Sequence, residues 1–227
     1  RTILNPRFSS SIVTSLEMSF WSGPLLVLWL YLPGYLANTA AMLGGKWIPD
    51  LTGFEPRPID GGRRLSDGNR VLGDGKTWNG LVGAIIGAGL LCMLTHLIGE
   101  NTVVVNGIFL DPLIGAGTED WFWIGGEWGA AFVLGAFLGL GCMIGDSTGS
   151  FIKRRLGKKR EGSESSEAPL IDTLPFAICT FFMGMLLFPN ALVGDTELLQ
   201  PMFWLLILTP VIHRLTNIFG YWVGLKE

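Results

Sequence analysis

Apolar residues in this chain are gathered into long stretches separated by polar loops. A membrane-spanning helix takes about 20 mostly apolar residues, and five stretches approach or reach that length. They lie at residues 20–43, 81–98, 122–144, 174–193 and 202–223. The pattern predicts an all-α integral membrane protein with about five transmembrane helices, forming a single membrane domain over residues 1–227. Pro24 and Pro33 are expected to kink the first helix.

Basic residues are distributed unevenly among the loops that join these stretches. The loops at 44–79 and 145–171 each hold six Lys or Arg residues, whereas 99–121 and 194–201 hold none. Lys and Arg accumulate on the cytoplasmic side of membrane proteins. Both long loops and the C-terminus are therefore predicted to be cytoplasmic, with the N-terminus outside. We expect a multi-pass protein of the cell membrane, made without a cleavable signal peptide, whose active site faces the cytoplasm.

The composition supports a membrane protein and argues against a nucleic-acid partner. Of the 227 residues, 49% are hydrophobic and only 15% are charged, whereas soluble domains carry about 25% charged residues. The net charge of -3 gives no broad basic surface for nucleic acid. The three cysteines lie in apolar runs without metal-site spacing. Nothing in the pattern indicates an obligate protein partner.

The first long loop has the composition of a phosphate-binding segment. Glycines let backbone N–H groups approach an anion closely, while Arg and Lys side chains hold phosphate oxygens. A loop that only fixes topology needs no acidic residues, yet this one contains five. A Walker P-loop is excluded, because its spacing needs Gly where Arg70 stands. The predicted nucleotide-binding residues here are Asp67, Arg70, Gly73, Asp74, Gly75, Lys76 and Thr77.

A second polar group follows the third apolar stretch. Asp146, Ser150 and Lys153 are spaced to share one face if the helix continues, and Asp172 begins the fourth stretch. Two carboxylates at neighbouring helix ends could converge on one Mg²⁺ ion. Alternatively, Asp172 caps its helix while residues 153–160 contact anionic headgroups.

Two asparagines lie near the ends of apolar stretches. Asn38 and Asn217 need hydrogen-bond partners in such surroundings, and each could bind a ligand or join helices. The histidines His96 and His213 have no Ser/Asp or Cys neighbours that would indicate a catalytic triad. We therefore expect both histidines to be structural.

These motifs together resemble the archaeal CDP-archaeol synthases, relatives of the CDP-diacylglycerol synthases. The matching pieces occur in the family's order and cover nearly the whole chain. They are Ala37-Asn38, Pro58-Ile59-Asp60-Gly61-Gly62, Arg70 to Gly80, Gly145-Asp146, Ser150-Phe151, Lys153-Arg154-Arg155, Gly157, Lys159-Arg160, Asp172, Asn217, Tyr221 and Gly224.

The resemblance implies a reaction between CTP and a lipid phosphate held in the membrane. Digeranylgeranylglyceryl phosphate would attack the α-phosphorus of CTP, forming unsaturated CDP-archaeol and pyrophosphate with the help of Mg²⁺. Asp146, Lys76 and Lys153 would be the catalytic residues. The metal ligands would be Asp146, Asp172 and Asp67, and the other nucleotide- or phosphate-binding residues would include Asn38, Arg154 and Asn217.

Two other functions remain open at this point. A CTP-dependent polyprenol or diacylglycerol kinase would bind the same nucleotide but transfer its γ-phosphoryl group. An anion transporter would place charges along a path through the membrane. Nearly every charge in this chain lies at a helix end or in a loop, and no internal repeat is evident, so the transporter is the weaker alternative.

Overall fold

The computed structural model describes residues 22–101, 107–157 and 169–222, and these residues form helices joined by loops. Within these ranges no β-strand occurs, and only two isolated bridges, Pro58–Thr77 and Arg64–Arg70, are present. The predicted all-α class is confirmed. The helices are α1 Ser22–Leu30, α2 Leu32–Tyr35, α3 Ala37–Thr52, α4 Trp78–Asn101, α5 Gly126–Arg155, α6 Pro169–Leu187 and α7 Leu199–Trp222; two 3-10 turns, Leu192–Gly194 and Thr196–Leu198, precede α7.

Three helices among the described residues are long and apolar enough to cross a membrane. They are α4, α5 and the segment Leu170–Leu187 of α6. A shorter apolar segment, Thr196–Ile212, leads into and includes much of α7. The chain is therefore a membrane protein, as its composition predicts. The count of five spans and the orientation of the termini stay predictions.

The first predicted span, 20–43, is not one straight helix. It is divided at Tyr31 and Leu36 into α1, α2 and α3. Pro33 stands in the first turn of α2, where its missing N–H does little harm. The predicted helix is thus interrupted on both sides of Pro33, whereas Pro24 lies in the first turn of α1 and interrupts nothing.

Other helix ends differ from the predicted boundaries. The helix α3 continues to Thr52, and α5 continues to Arg155, so parts of both predicted loops, 44–79 and 145–171, are helical. The extension of α3 has a packing cause, because Gly44 lies directly against α4: a Cβ at this residue would be 2.6 Å from the Cα of Gly83. The helix α6 ends at Leu187, shortly before Pro189, a residue type that disfavours helical geometry in the residue preceding it.

Glycines set how closely α5 packs against its neighbours, α4 and α6. A Cβ at Gly135 would lie 2.4 Å from the carbonyl oxygen of Ala88 on α4. On the other side, a Cβ at Gly149 would lie 2.5 Å from the carbonyl oxygen of Ile171 on α6. Such contacts between backbones are possible only where side chains are very small. The C-terminal part of α5 is therefore held directly against the start of α6.

At the other end of α4 and α5, a buried histidine is paired with an aspartate and packed against a tryptophan. His96 is 2% exposed, and its Nδ1 lies 2.9 Å from Oδ1 of Asp111. The ring of Trp128 meets the imidazole edge-on, with 5.3 Å between ring centroids. The structural role expected for His96 agrees with these contacts. The side chain of His213 lies outside the described residues.

Candidate active site

A cavity of about 580 Å³ opens where α3, α4, α5, α6 and the loop before α4 meet. The loop supplies one wall and the C-terminal part of α5 supplies the other. Nine of the residues predicted from sequence line it, although they come from four different parts of the chain. They are Asn38, Gly73, Gly75, Lys76, Thr77, Asp146, Lys153, Arg154 and Asp172.

An ion pair joins the two walls of the cavity. The ammonium group of Lys76, on the loop, donates a hydrogen bond to Oδ2 of Asp146, on α5. Both side chains are 23% exposed, so the pair faces the cavity while being partly shielded from water. A pair in this position is stronger than one on an open surface, since the surrounding dielectric is lower. It remains within reach of a ligand.

A second ion pair lies deeper between α5 and α6. Lys153 pairs with Asp172, and their side chains are 16% and 9% exposed. The predicted spacing places Lys153 and Asp146 along one side of α5, and both line the cavity. The glycine contact at Gly149 brings α6 close enough for this pair to form. The cavity therefore holds two carboxylates and two ammonium groups.

Hydroxyl and amide groups complete the polar lining. Ser147 and Ser150 on α5 line the cavity beside Asp146; neither is among the site residues predicted from sequence, although the i, i+4 spacing pointed to Ser150. Thr77 caps α4, because its Oγ1 accepts a hydrogen bond of 3.1 Å from the N–H of Gly80. The N-terminus of a helix favours anions, and Gly80 also lines the cavity.

The buried carboxylate of Asp60 holds the loop in shape through hydrogen bonds. Sequence reasoning did not single it out as a site residue. Its side chain is 2% exposed and accepts hydrogen bonds from the N–H groups of Gly62, Leu72 and Gly73 at 3.0, 3.0 and 3.2 Å. The guanidinium of Arg70 adds two more, at 2.7 and 3.3 Å. Burial alone would raise the pKa of Asp60, but the hydrogen bonds from Arg70 and the backbone outweigh it and lower the pKa well below its usual value.

Three predicted loop residues do not line the cavity. Asp67, predicted as a metal ligand, lies 2.5 Å from Nη1 of Arg155 instead. Arg70 is held by Asp60, and by Asp74 at 2.6 Å. The side chain of Asp74 is 70% exposed. Asp67, Arg70 and Asp74 thus contact other residues of the loop and α5, and their predicted contacts with the nucleotide stay predictions.

Asn217 lies on α7, and its side chain is outside the part of the chain that the structure describes.

Arg155 belongs to the basic residues 153–160, for which contact with anionic headgroups was one predicted role. Its Nη2 donates a hydrogen bond of 2.6 Å to the carbonyl oxygen of Arg70, so it fastens the loop to α5.

The donor set of the cavity suits Mg²⁺ when a phosphate ligand is present. Mg²⁺ prefers oxygen ligands and is usually bound through one or two carboxylates, with substrate phosphates and water completing its shell. Asp146 and Asp172 supply two carboxylates, and Ser147 and Ser150 supply hydroxyls. Among the described residues no group of three or more His, Cys, Asp or Glu could hold a metal by itself. The residues present therefore fit a metal that arrives with a nucleotide.

Comparisons with known proteins agree on one family. A family model described as CarS-like, CDP-archaeol synthase, matches residues 22–227. A CDP-archaeol synthase of Methanosphaerula palustris is 36% identical over 196 residues, covering 86% of this chain and 98% of the relative. One from Methanopyrus kandleri is 37% identical over 209 residues, covering 88% and 90%. A solved structure of an intramembrane enzyme for archaeal membrane lipid biosynthesis matches with a TM-score of 0.54 and 25% identity, covering 84% of this chain and 92% of that one.

Proposed function

The chain belongs to the CarS-like family of CDP-archaeol synthases, and on that premise we propose that its cavity is where CTP meets a lipid-linked phosphate. It is an enzyme, a CTP-dependent cytidylyltransferase of archaeal ether lipid biosynthesis. The lipid substrate we propose is digeranylgeranylglyceryl phosphate, 2,3-bis-O-(geranylgeranyl)-sn-glycerol 1-phosphate. Its phosphate oxygen forms a bond to the α-phosphorus of CTP, and the bond from that phosphorus to pyrophosphate breaks.

Charge neutralisation is the main task in this reaction. The nucleophile is already an oxyanion, so no strong base is needed. Repulsion between the lipid phosphate and the triphosphate must instead be offset, and negative charge on the departing pyrophosphate must be stabilised. The single observation that carries the proposal is that Lys76, Lys153 and Arg154 line one cavity together with Asp146 and Asp172.

The loop side of the cavity binds the triphosphate in this proposal. Gly73 and Gly75 bring backbone close to the ligand without side chains in the way, and Lys76 supplies a positive charge. The N-terminus of α4, capped by Thr77, adds a favourable dipole. Asn38, on α3, offers its amide to the cytidine portion.

The helix side of the cavity binds the lipid phosphate. Lys153 and Arg154 are placed to hold its oxygens, because both line the cavity from α5. Apolar residues of α3 and α5 line the same space, and Met42 among them is 56% exposed. We place the lipid chains along this apolar side, where they continue into the membrane.

Asp146 and Asp172 would hold the divalent cation. When bound, Mg²⁺ would supply positive charge at the phosphates and at the departing pyrophosphate. Each carboxylate is paired with a lysine in the structure, so binding of the metal would free Lys76 and Lys153 to contact phosphate oxygens. Asp67 has no part in this assignment, because it pairs with Arg155 outside the cavity.

The orientation that we propose for the protein in the membrane is supported by the basic residues of its loops and by the location of CTP. CTP is a soluble, highly charged molecule, so the cavity must open to the compartment that contains it. The loops at this end of the helices are the ones rich in Lys and Arg, and such loops are usually cytoplasmic. We propose five spans in one membrane domain of the cell membrane, with the N-terminus outside and both the cavity and the C-terminus on the cytoplasmic side.

Label transfer from CTP tests this function against the kinase alternative. The purified protein is incubated with Mg²⁺ and CTP labelled at either the α- or the γ-phosphorus, together with digeranylgeranylglyceryl phosphate or, in parallel, with a polyprenol or diacylglycerol. We expect α-label in the lipid product and γ-label in pyrophosphate. Transfer of γ-label to a lipid acceptor, with release of CDP, would instead establish a kinase. Absence of any labelled lipid with a protein that binds CTP would reject both.

A further inference from the structure

The segment that carries Lys76 has little regular structure of its own. Residues 71–77 form bends and turns between α3 and α4, and Gly73 has a φ of 106°. Near its end the segment is fastened by a hydrogen bond of 2.8 Å from the N–H of Ile59 to the carbonyl oxygen of Lys76. Its beginning is held by a hydrogen bond of 3.0 Å from the N–H of Val71 to the carbonyl oxygen of Arg63, and also by one buried side chain.

That side chain is Asp60, whose carboxylate fills a nest of donors. Two consecutive backbone N–H groups, of Leu72 and Gly73, point at its Oδ2 from 3.0 and 3.2 Å. The guanidinium of Arg70 covers both oxygens, at 2.7 and 3.3 Å. A nest of successive N–H groups is a recognised anion-binding arrangement. Here the anion is part of the protein, and the arrangement fixes the turn that leads into the cavity.

The turn that Asp60 fixes lies in contact with the opposite wall. A Cβ placed at Gly73 would be 3.3 Å from Nη2 of Arg154, so the backbone there already lies close to the cavity's guanidinium. Arg155 reaches the same loop through the carbonyl oxygen of Arg70. A displaced turn would therefore move Lys76, whereas Arg154 keeps its own place on α5.

We propose that Asp60 is a positioning residue that shapes the Gly73–Thr77 segment for the triphosphate and thereby sets the affinity for CTP. It does so without lining the cavity or touching the nucleotide. The inference rests on the proposed function, because it presumes that this segment binds CTP. The lipid phosphate is held by α5 in that proposal, so Asp60 affects one substrate and not the other.

The variant Asp60→Asn tests this role, because it keeps the size of the side chain and removes its charge. An amide NH₂ group would then face either Arg70 or a backbone N–H, placing donor against donor. Steady-state kinetics with each substrate varied in turn should show a KM for CTP raised about tenfold or more, equivalent to about 1.4 kcal/mol. The KM for the lipid phosphate should be unchanged within error. Direct binding of labelled CTP should weaken by the same factor.

Two further variants control for charge and for chemistry. Asp50→Asn makes the same substitution at an exposed acid on α3 and should leave both KM values unchanged. Asp60→Glu restores the carboxylate and should recover part of the CTP affinity. Should Asp60→Asn fail to fold, Arg70→Lys takes its place: it removes the planar fork, and the KM for CTP should again rise alone.

The outcomes separate this inference from the function it rests on. A wild-type protein that makes no CDP-lipid rejects the proposed function. A wild-type protein that is active, with an Asp60→Asn variant whose KM for CTP equals that of the wild type, rejects the positioning role alone. A variant whose two KM values rise together, with a lower thermal unfolding temperature, shows a merely structural role and also overturns the proposal.

Discussion

Paired polar side chains occur at both ends of α4 and α5, but their surroundings differ. At one end, the sealed end, the imidazole of His96 is 2% exposed, contacts Asp111 and packs against Trp128. At the other end Lys76 pairs with Asp146 on the wall of a cavity of about 580 Å³. No ligand can reach the buried imidazole of His96. At the cavity, by contrast, Asp146 can bind a cation in place of Lys76, and Lys76 can bind an anion in place of Asp146.

The difference shows how one helical bundle uses charge in two ways. A sealed pair is costly to desolvate and helps mainly by satisfying groups that are already buried. In a pair beside a cavity, the two charges neutralise each other, and each of them can also interact with a ligand that enters the cavity. We therefore expect substitutions at the sealed end to change stability, and substitutions at the cavity end to change turnover.

The largest effect is expected from Asp146→Asn at the cavity end. Loss of the carboxylate removes a proposed metal ligand and the partner of Lys76, so turnover should fall at least about a hundredfold. The thermal unfolding temperature should change little, because water in the cavity can solvate the lysine. Labelled CDP-lipid formation and thermal unfolding measure the two effects. Turnover close to that of the Asp50→Asn control would contradict the assignment.

Substitutions in the deeper pair, Lys153 and Asp172, should change both stability and turnover. Lys153→Met removes the ammonium partner of a largely buried aspartate, which we expect to lower the free energy of unfolding by about 3–5 kcal/mol and to reduce turnover. Adding Asp172→Asn removes the charge of the aspartate as well. The double variant should regain stability but remain inactive. If activity returned together with stability, the pair would be structural like the one at the sealed end.

A glycine contact should affect the cavity by moving a helix. In Gly149→Ala the new Cβ would lie 2.5 Å from the carbonyl oxygen of Ile171, so α6 must shift and carry Asp172 with it. We expect about 1–3 kcal/mol of destabilisation, with turnover lowered as well. Gly117→Ala is the control, since nothing lies within 4 Å of a Cβ there. Equal effects of the two variants would show that the contact does not position the site.

The smallest effect on catalysis is expected at the sealed end. His96→Leu leaves Asp111 without its side-chain partner, and we expect the free energy of unfolding to fall by about 1–3 kcal/mol. Turnover per folded molecule should be unchanged, because the imidazole is separated from the cavity by the length of α4. Thermal unfolding and label transfer on the same preparation provide the comparison. A loss of turnover as large as that of Asp146→Asn would remove the distinction between the two ends.

Local pattern was enough to find the residues that carry charge at the ends of apolar stretches. Lys76 was expected from its loop, rich in Gly and Arg, whereas Asp146, Lys153 and Asp172 were expected from their spacing and their positions at the ends of apolar stretches. Their pairing was not predictable in the same way. Lys76 and Asp146 are 70 positions apart, and only the packing of α4 against α5 brings them together.

The acids of the first loop show what a local sequence pattern cannot determine. Asp60, Asp67 and Asp74 have similar neighbours in the sequence, rich in Gly and Arg, yet Asp60 is buried beneath the loop while Asp74 is exposed. Composition does not say to which side of a loop a carboxylate turns. The length of α3 was underestimated for a related reason: Gly44-Gly45 looks like a loop, but Gly44 is where α3 contacts α4.

A structure with CTP and Mg²⁺ bound would test the central claim most directly. The account predicts the triphosphate in the cavity, between the Gly73–Thr77 segment and Lys153, with Asp146 and Asp172 on the metal and no longer paired with lysines. The turn held by Asp60 should be unchanged. A nucleotide bound outside this cavity, with both ion pairs intact, would contradict the assignment of the site.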